Sequence, residues 1–336
     1  MLKKALRIFL LGAMAASSAF AAAAPADRQP RKPAFTRGVN VLGYDPFWKD
    51  GGTPRFQARH FAEIRRAGFD FVRVNLFAFG RMDASNRLDP RWLKKLDWVV
   101  AEARRAGLGV ILDEHDFDAC SNDVASCRTK LAAFWRQVAP RYRKAPANVA
   151  FELLNEPHGK LDSATWNAII PEILAIVRAT NPARTVVVGP TSWNSFRELA
   201  NLALPQQDRN ILVTFHYYDP FRFTHQGASW TDLKGLSGVS WGSEEDRAIL
   251  RADFEKVAAW ARSNGRPVLL GEFGAYDRSG TPEAMRVAYT TAAAREAERN
   301  GFAWAYWQFD GDFIVWDMAR DRWVEPVRDA LLPPKG

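Results

Sequence analysis

Two glutamates, each closing an apolar run, are the residues best placed to do chemistry: Glu156 in FELLNEP (Phe151 to Pro157) and Glu272 in PVLLGEFGAY (Pro267 to Tyr276). Paired carboxyl groups are the machinery of glycosidic bond cleavage. A protonated one donates to the departing oxygen while an ionised one attacks or stabilises the oxocarbenium-like carbon. That chemistry requires a fold that brings residues 116 positions apart into one cleft. Glu152 is the rival acid, because it shares strand parity with Glu156 and would also face inward. It lies four residues deeper, where a buried charge needs a partner such as an arginine, so structural pairing is its expected role.

The elements that could position such a pair are visible as alternating short apolar runs and amphipathic stretches. Strands are predicted at Val39 to Gly43, Asp70 to Phe77, Leu108 to His115, Val149 to Glu156, Thr185 to Pro190, Ile211 to Tyr218, Pro267 to Phe273 and Phe302 to Phe309. Helices are predicted at Pro54 to Ala67, Pro90 to Ala106, Arg128 to Arg143, Ser163 to Ala179, Glu244 to Ser263 and Pro282 to Arg299. Gly68, Gly107, Gly265 and Gly301 each follow a helical stretch and precede a strand, as left-handed helix terminators do. Eight predicted strands, most followed by a helical stretch, with no glycine-rich dinucleotide loop after the first strand, predict a single-domain α/β fold, a (β/α)8 TIM barrel.

In such a barrel chemistry collects where the strands end, and these strands end in polar residues. Strand two carries Arg73 and Asn75, strand three ends in Asp113, Glu114 and His115, and strand four in Asn155 and Glu156. Strand six supplies His216, Tyr217 and Tyr218, strand seven Glu272, and strand eight Trp307 and Gln308. Over nearly its whole length the chain here resembles glycoside hydrolase family 5 of clan A, the group of cellulases and mannanases. The resemblance rests on Arg73 in FVRVNLF, His115 in ILDEHDFD, Asn155 and Glu156 before Pro157, His216 and Tyr218 as His-x-Tyr, Glu272 and Trp307.

The resemblance implies a retaining double displacement with Glu272 as nucleophile and Glu156 as acid, then base. The residues suit those roles. Arg73 and a hydrogen bond from Tyr218 would keep Glu272 ionised, while the charge of Glu272, at roughly 5 to 5.5 Å in a retaining site, is expected to raise the pKa of Glu156. Asn155 could donate to the sugar 2-hydroxyl, and His115 and His216 could position hydroxyls or the acid. His60, inside a helical stretch, is expected to be structural, and His158 and His225 are loop residues with open roles.

Thirteen tryptophans exceed what a core needs, and Trp48, Trp193, Trp230, Trp241 and Trp316 fall in predicted loops. Indole stacks on the C–H face of a sugar with little loss of entropy. Trp307 and Trp193, at or just past strand ends, are the expected platforms. The long irregular stretch from Asp219 to Gly242 follows strand six and would border the cleft. Its HYY and FTHQGA segments resemble those of bacterial family 5 endoglucanase-type sequences, which points to β-1,4-glucan. Asp113, His115, Asp116 and Asp118 could in principle ligate a divalent ion, but no second histidine lies nearby. Neither a metal nor a cofactor is expected, because hydrolysis of an acetal by two carboxyls requires none.

The chain opens with Lys3, Lys4 and Arg7, an apolar stretch shorter than a membrane span, and the small residues Ala19 to Ala24. This predicts an export signal over residues 1 to 26, cut after Ala21, Ala24 or Ala26, with the barrel in 27 to 336. Its removal would leave 43 basic against 38 acidic residues, a net charge of +5. The basic residues sit mostly on helical stretches rather than in an aromatic-lined stripe, which argues against nucleic-acid binding. In an oxidising compartment Cys120 and Cys127 are expected to pair as a loop disulfide. The function expected is an exported, monomeric endo-β-1,4-glucanase with no membrane partner after cleavage. The alternatives are the same mechanism on mannan, β-1,3-glucan or a bacterial exopolysaccharide, or a non-catalytic glycan-binding barrel.

Overall fold

Eight short parallel strands hydrogen-bond in sequence order and close on themselves: β1 (Arg37–Val41), β2 (Phe71–Leu76), β3 (Gly109–Glu114), β4 (Val149–Glu152), β5 (Val186–Val188), β6 (Ile211–Tyr217), β7 (Val268–Phe273) and β8 (Ala303–Tyr306). Gly38 of β1 lies beside Ala305 of β8, which completes the predicted barrel. The computed structural model describes residues 35–49, 51–278 and 280–333, so the expected export signal lies outside the described residues. None of the described helices is long and apolar enough to cross a membrane.

Inward side chains change character from the bottom of the barrel to the top. Phe35, Phe71, Ile111, Ala150, Val187, Leu212 and Leu269 form an apolar plug at the N-terminal end. Two residues further along the same strands come Arg73, Asp113, Glu152 and Thr214, and two beyond that Asn75 and His115. The period-two geometry of a strand therefore raises the polar residues to the C-terminal mouth. A register shift between Phe215 and His216 in β6 pairs His216 with Glu272 of β7.

The helices cover the outside of the barrel through apolar stripes. The helix Pro90–Arg105 buries Leu96, Val99, Val100 and Ala103, and its first turn is capped by Asp89, which accepts from the Arg91 amide at 2.8 Å. Asp123, Asp162 and Ser243 cap three other helices in the same way, each such cap being worth about 1 kcal/mol. Gly68 and Gly265 take left-handed φ values of 113° and 57° at helix ends, as the sequence predicts. The six predicted helices are present, with the third beginning earlier, at Val124.

Three features go beyond the sequence expectation. Between β5 and β6, where no helix is expected, a tight turn over 191–194 and a 3-10 segment, Phe196–Asn201, fill the gap. A small two-stranded sheet pairs Trp316–Asp317 with Arg322–Trp323. The expected disulfide between Cys120 and Cys127 is formed, but it is buried and links the helix Phe117–Asn122 to the helix Val124–Arg141 rather than bracing an open loop.

Candidate active site

Arg73 is the hub on which the mouth of the barrel is built. Its guanidinium is fully buried and holds Glu152 bidentately, with Nε to Oε2 at 2.7 Å and Nη2 to Oε1 at 2.8 Å. Nη1 donates to Glu272 Oε1 at 2.7 Å and to Asn40 Oδ1 at 2.9 Å. Nη2 also donates to Asn155 Oδ1 at 2.7 Å and lies 3.1 Å from Asp113 Oδ2. A planar five-donor fork is the one side chain that can satisfy so many acceptors in a fixed arrangement. Glu152 is thus paired with an arginine below the site and takes no place in the cleft, as its depth in the strand suggested.

The chain leaves the ladder at Glu152, earlier than the predicted strand end at Glu156. Leu153 N–H still donates to Val187 O at 3.0 Å and Asn155 N–H to Glu114 O at 2.8 Å, so the segment stays fastened to its neighbours. Glu156 then adopts a φ of 40°, which turns its side chain into the mouth. His216 Nδ1 lies 2.7 Å from Glu156 Oε1 and 3.6 Å from Glu272 Oε2. One side-chain oxygen or ring nitrogen from each of Glu156, His216 and Glu272 lies within 4.8 Å of the other two. An oxygen of each carboxyl thus lies within reach of one anomeric carbon, as in a retaining site, where the carboxyl groups are about 5 to 5.5 Å apart.

The two carboxyls have unlike surroundings. Glu272 receives Arg73 on one oxygen and the Tyr218 hydroxyl, at 3.0 Å, on the other. Among the described residues no lysine or arginine contacts the Glu156 carboxyl, which is held by His216. Burial pushes the Glu156 carboxyl up to about 8, against the pull of Arg73 and His158. The expectation that the charge of Glu272 raises Glu156 is therefore corrected: loss of hydration comes first. Glu272 is also raised, by burial first and then by Glu156, with His216 and Arg73 acting in the opposite sense. Burial lowers His115 and His216 to about 4, so both rings are neutral near pH 7.

These shifts set a pH profile. If Glu156 must be protonated and Glu272 ionised, kcat/KM falls on the alkaline side near pH 8 as Glu156 loses its proton. On the acid side it falls above the ordinary carboxylate range, because Glu272 is raised. A pH–rate profile on a neutral substrate reads both limbs, and an alkaline limb near pH 5 would contradict the assignment.

The mouth forms a cleft of about 860 Å³ lined by His115, Glu156, Trp193, His216, Tyr218, Glu272 and Trp307 among the sequence-predicted residues. Arg73 and Asn155 sit behind that lining, both essentially unexposed. Asn155 Nδ2 lies 3.4 Å from His115 Nε2, and His115 Nδ1 is 2.5 Å from Asp113 Oδ2, where the ring donates to a carboxylate. Trp307 stacks parallel to His115, with ring centres 5.8 Å apart.

The loop tryptophans divide. Trp193 and Trp230 are more than half exposed and line the cleft, whereas Trp48, Trp241 and Trp316 are buried and pack between elements. His158 stacks under Trp193 at 4.5 Å and donates from Nδ1 to the Glu156 carbonyl at 2.8 Å. His225 stacks on Phe221 at 4.0 Å along the cleft wall. His60 accepts the Gln57 amide at 3.0 Å inside a helix cap and is structural, as expected. The Asp219 to Gly242 stretch is ordered by Gln226, whose amide both donates to Val239 O and accepts from Val239 N at 2.9 Å.

Three site residues were not singled out from sequence. Asn40 is a lone polar residue in an apolar strand, a readable sign of an inward polar contact. Tyr44, just past β1, is exposed in the cleft with its ring edge toward Trp307 at 6.2 Å. Asn194 reaches His216 only because of a turn geometry with no simple sequence mark. Among the described residues the three-member grouping with metal-ligand spacing is Glu156, His216 and Glu272, not the run from Asp113 to Asp118.

The chain is 29% identical over 290 residues to Endoglucanase H of Acetivibrio thermocellus, covering 82% of this chain and 30% of that protein. It is 27% identical over 259 residues to Endoglucanase 3 of Fibrobacter succinogenes, covering 66% of this chain and 39% of that one. It therefore spans well under half the length of either relative. Among solved structures, endoglucanase Cel5A of Thermotoga maritima superposes with a TM-score of 0.83 at 34% identity, covering 88% of this chain and 96% of that one. The Clostridioides difficile cellulose synthase subunit Z gives 0.84 at 34% identity, covering 89% and 99%. Residues 32–312 match the model of the cellulase family, glycosyl hydrolase family 5. With a match over that much of its length, this chain belongs to glycosyl hydrolase family 5.

Proposed function

We propose that the protein is an exported, retaining endo-β-1,4-glucanase in which Glu272 is the nucleophile and Glu156 the acid and base. The observation that carries this reading is the pair of unlike carboxyls, an oxygen of each within 4.8 Å of one of the other, at the floor of an aromatic-walled cleft. Glu272, held by Arg73 and Tyr218, attacks the anomeric carbon as Glu156 gives its proton to the leaving oxygen. Once Glu272 is esterified, its charge is gone, and Glu156 as a carboxylate takes a proton from the water that releases the sugar. Asn40, Asn155, Glu152 and Asp113 hold Arg73 in place while this happens. The paired cysteines suit an oxidising compartment, which supports export.

The likeness to endoglucanases favours β-1,4-glucan. A second reading, mannan, is favoured by one observation: a structure of the Thermotoga maritima Cel5A, 33% identical to this chain, is described in complex with mannotriose. Release of reducing ends from a panel of β-1,4-glucan, β-1,3-glucan, mannan and exopolysaccharide separates the readings. The highest kcat/KM is expected on β-1,4-glucan. No release from any polymer would favour a glycan-binding barrel instead.

A further inference from the structure

The turn after β5 contains three consecutive residues in the left-handed region, Ser192, Trp193 and Asn194, with φ of 56°, 59° and 54°. None is glycine. Each pays roughly 1 to 2 kcal/mol for that conformation, so the surroundings must enforce it. The Ser195 amide donates to Thr191 O at 3.2 Å, and the Trp193 amide to Pro157 O at 3.4 Å, which fastens the turn to the residue following Glu156. The result is that Trp193 points into the cleft while Asn194 points inward and is fully buried.

Inside, Asn194 Nδ2 lies 3.2 Å from His216 Nε2. Space for this contact is kept by two glycines. A Cβ on Gly189 would collide with Asn194 Oδ1, and one on Gly271 would lie 2.9 Å from His216 Nε2. An amide nitrogen carries only hydrogens to offer, so the facing imidazole nitrogen must present its lone pair. A neutral imidazole has one proton, which then belongs on the other nitrogen.

We propose that Asn194 is a positioning residue for the acid/base: by donating to His216 Nε2 it fixes the imidazole proton on Nδ1, from which His216 donates to Glu156 Oε1. Oε2 is left as the oxygen that exchanges the catalytic proton. In the first half-reaction the Oε2 proton passes to the glycosidic oxygen as the C–O bond breaks and its electron pair goes to that oxygen. In the second, Oε2 takes a proton from water as the water oxygen bonds the anomeric carbon and the Glu272 ester bond breaks. Oε1 accepts from His216 throughout, so the carboxylate stage of Glu156 is stabilised. This rests on Glu156 being the acid/base, which the substrate dependence of Glu156→Ala tests separately.

The direct test is ¹⁵N NMR of histidine-labelled full-length protein at pH 7, with the His216 signals identified from a His216→Gln spectrum. A protonated Nδ1 and an unprotonated Nε2 are expected; the reverse tautomer in the wild type overturns the proposal whatever the activity of any variant. Asn194→Gly keeps a residue at ease with positive φ while removing the amide. It is expected to fold, to lose the Nδ1 tautomer preference and to slow the second half-reaction about tenfold on a substrate with a good leaving group, as loss of one hydrogen bond to an ionised group does. Its alkaline limb in kcat/KM should move to higher pH, because the Glu156 carboxylate has lost a donor. A Gly variant with the wild-type tautomer, limb and rate would show that Asn194 serves only the turn.

Discussion

Glu272→Gln is expected to abolish turnover on polymers and on aryl glycosides alike, with kcat reduced by about 10⁴-fold or more, the scale seen when an enzyme loses its nucleophile. The substitution changes little else. Arg73 Nη1 can still donate to the side-chain oxygen now bonded at 2.7 Å, and Glu152 remains bound to the same guanidinium. What is lost is the carboxylate that forms the glycosyl ester, and a good leaving group cannot replace it because bond formation at carbon is still required. Steady-state rates on a polymer and on a dinitrophenyl glycoside check this. Near-normal turnover of either would remove Glu272 from the nucleophile role.

Glu156→Ala is expected to behave differently on the two substrates, and the difference is the informative part. On unactivated polymer the loss should be about 10² to 10⁴-fold, the usual contribution of general acid catalysis. On a dinitrophenyl glycoside the first step needs no protonation, so it proceeds, and the intermediate then waits for a base. Added azide, which needs no base, should enter the space left by the carboxylate, restore turnover and yield a β-glycosyl azide. Equal losses on both substrates, with no azide product, would count against Glu156 as the acid/base.

How far the sequence reveals these features depends on how local their causes are. The eight strand cores are legible because apolar, β-branched runs bounded by glycine and polar residues reflect burial on both faces of a parallel sheet. Their ends are less legible. FELLNEP reads as strand through Glu156, yet the ladder stops at Glu152 and the backbone turns, held by Glu114 and Val187 from neighbouring strands. Glu152 was legible as a structural charge from its parity and depth alone, since an inward carboxyl that far down needs a cation. That the cation is Arg73, and that the guanidinium which holds Glu272 also holds Asn40 and Asn155, is not legible there.

Other parts depend on contacts between distant residues. Whether a loop tryptophan faces sugar or core is decided by what lies across from it: Trp48 donates to Leu42 O at 2.9 Å and packs inward, while Trp193 is pushed outward by the left-handed turn. The order of the long Asp219 to Gly242 stretch depends on Gln226 meeting Val239, which no spacing rule announces. The cause of the Glu156 shift is hidden from the sequence for a similar reason. Charge on a partner can be inferred from a motif, but the depth of burial that removes water from the carboxyl requires the surrounding walls.

The central claim is that Glu156 and Glu272 work on one anomeric carbon without a water between them. Proton NMR of the first sugar released from a β-linked oligosaccharide, recorded before mutarotation, tests it most directly. The spacing predicts the β-anomer as the initial product; the α-anomer appearing first would mean a single inverting displacement and would contradict the account.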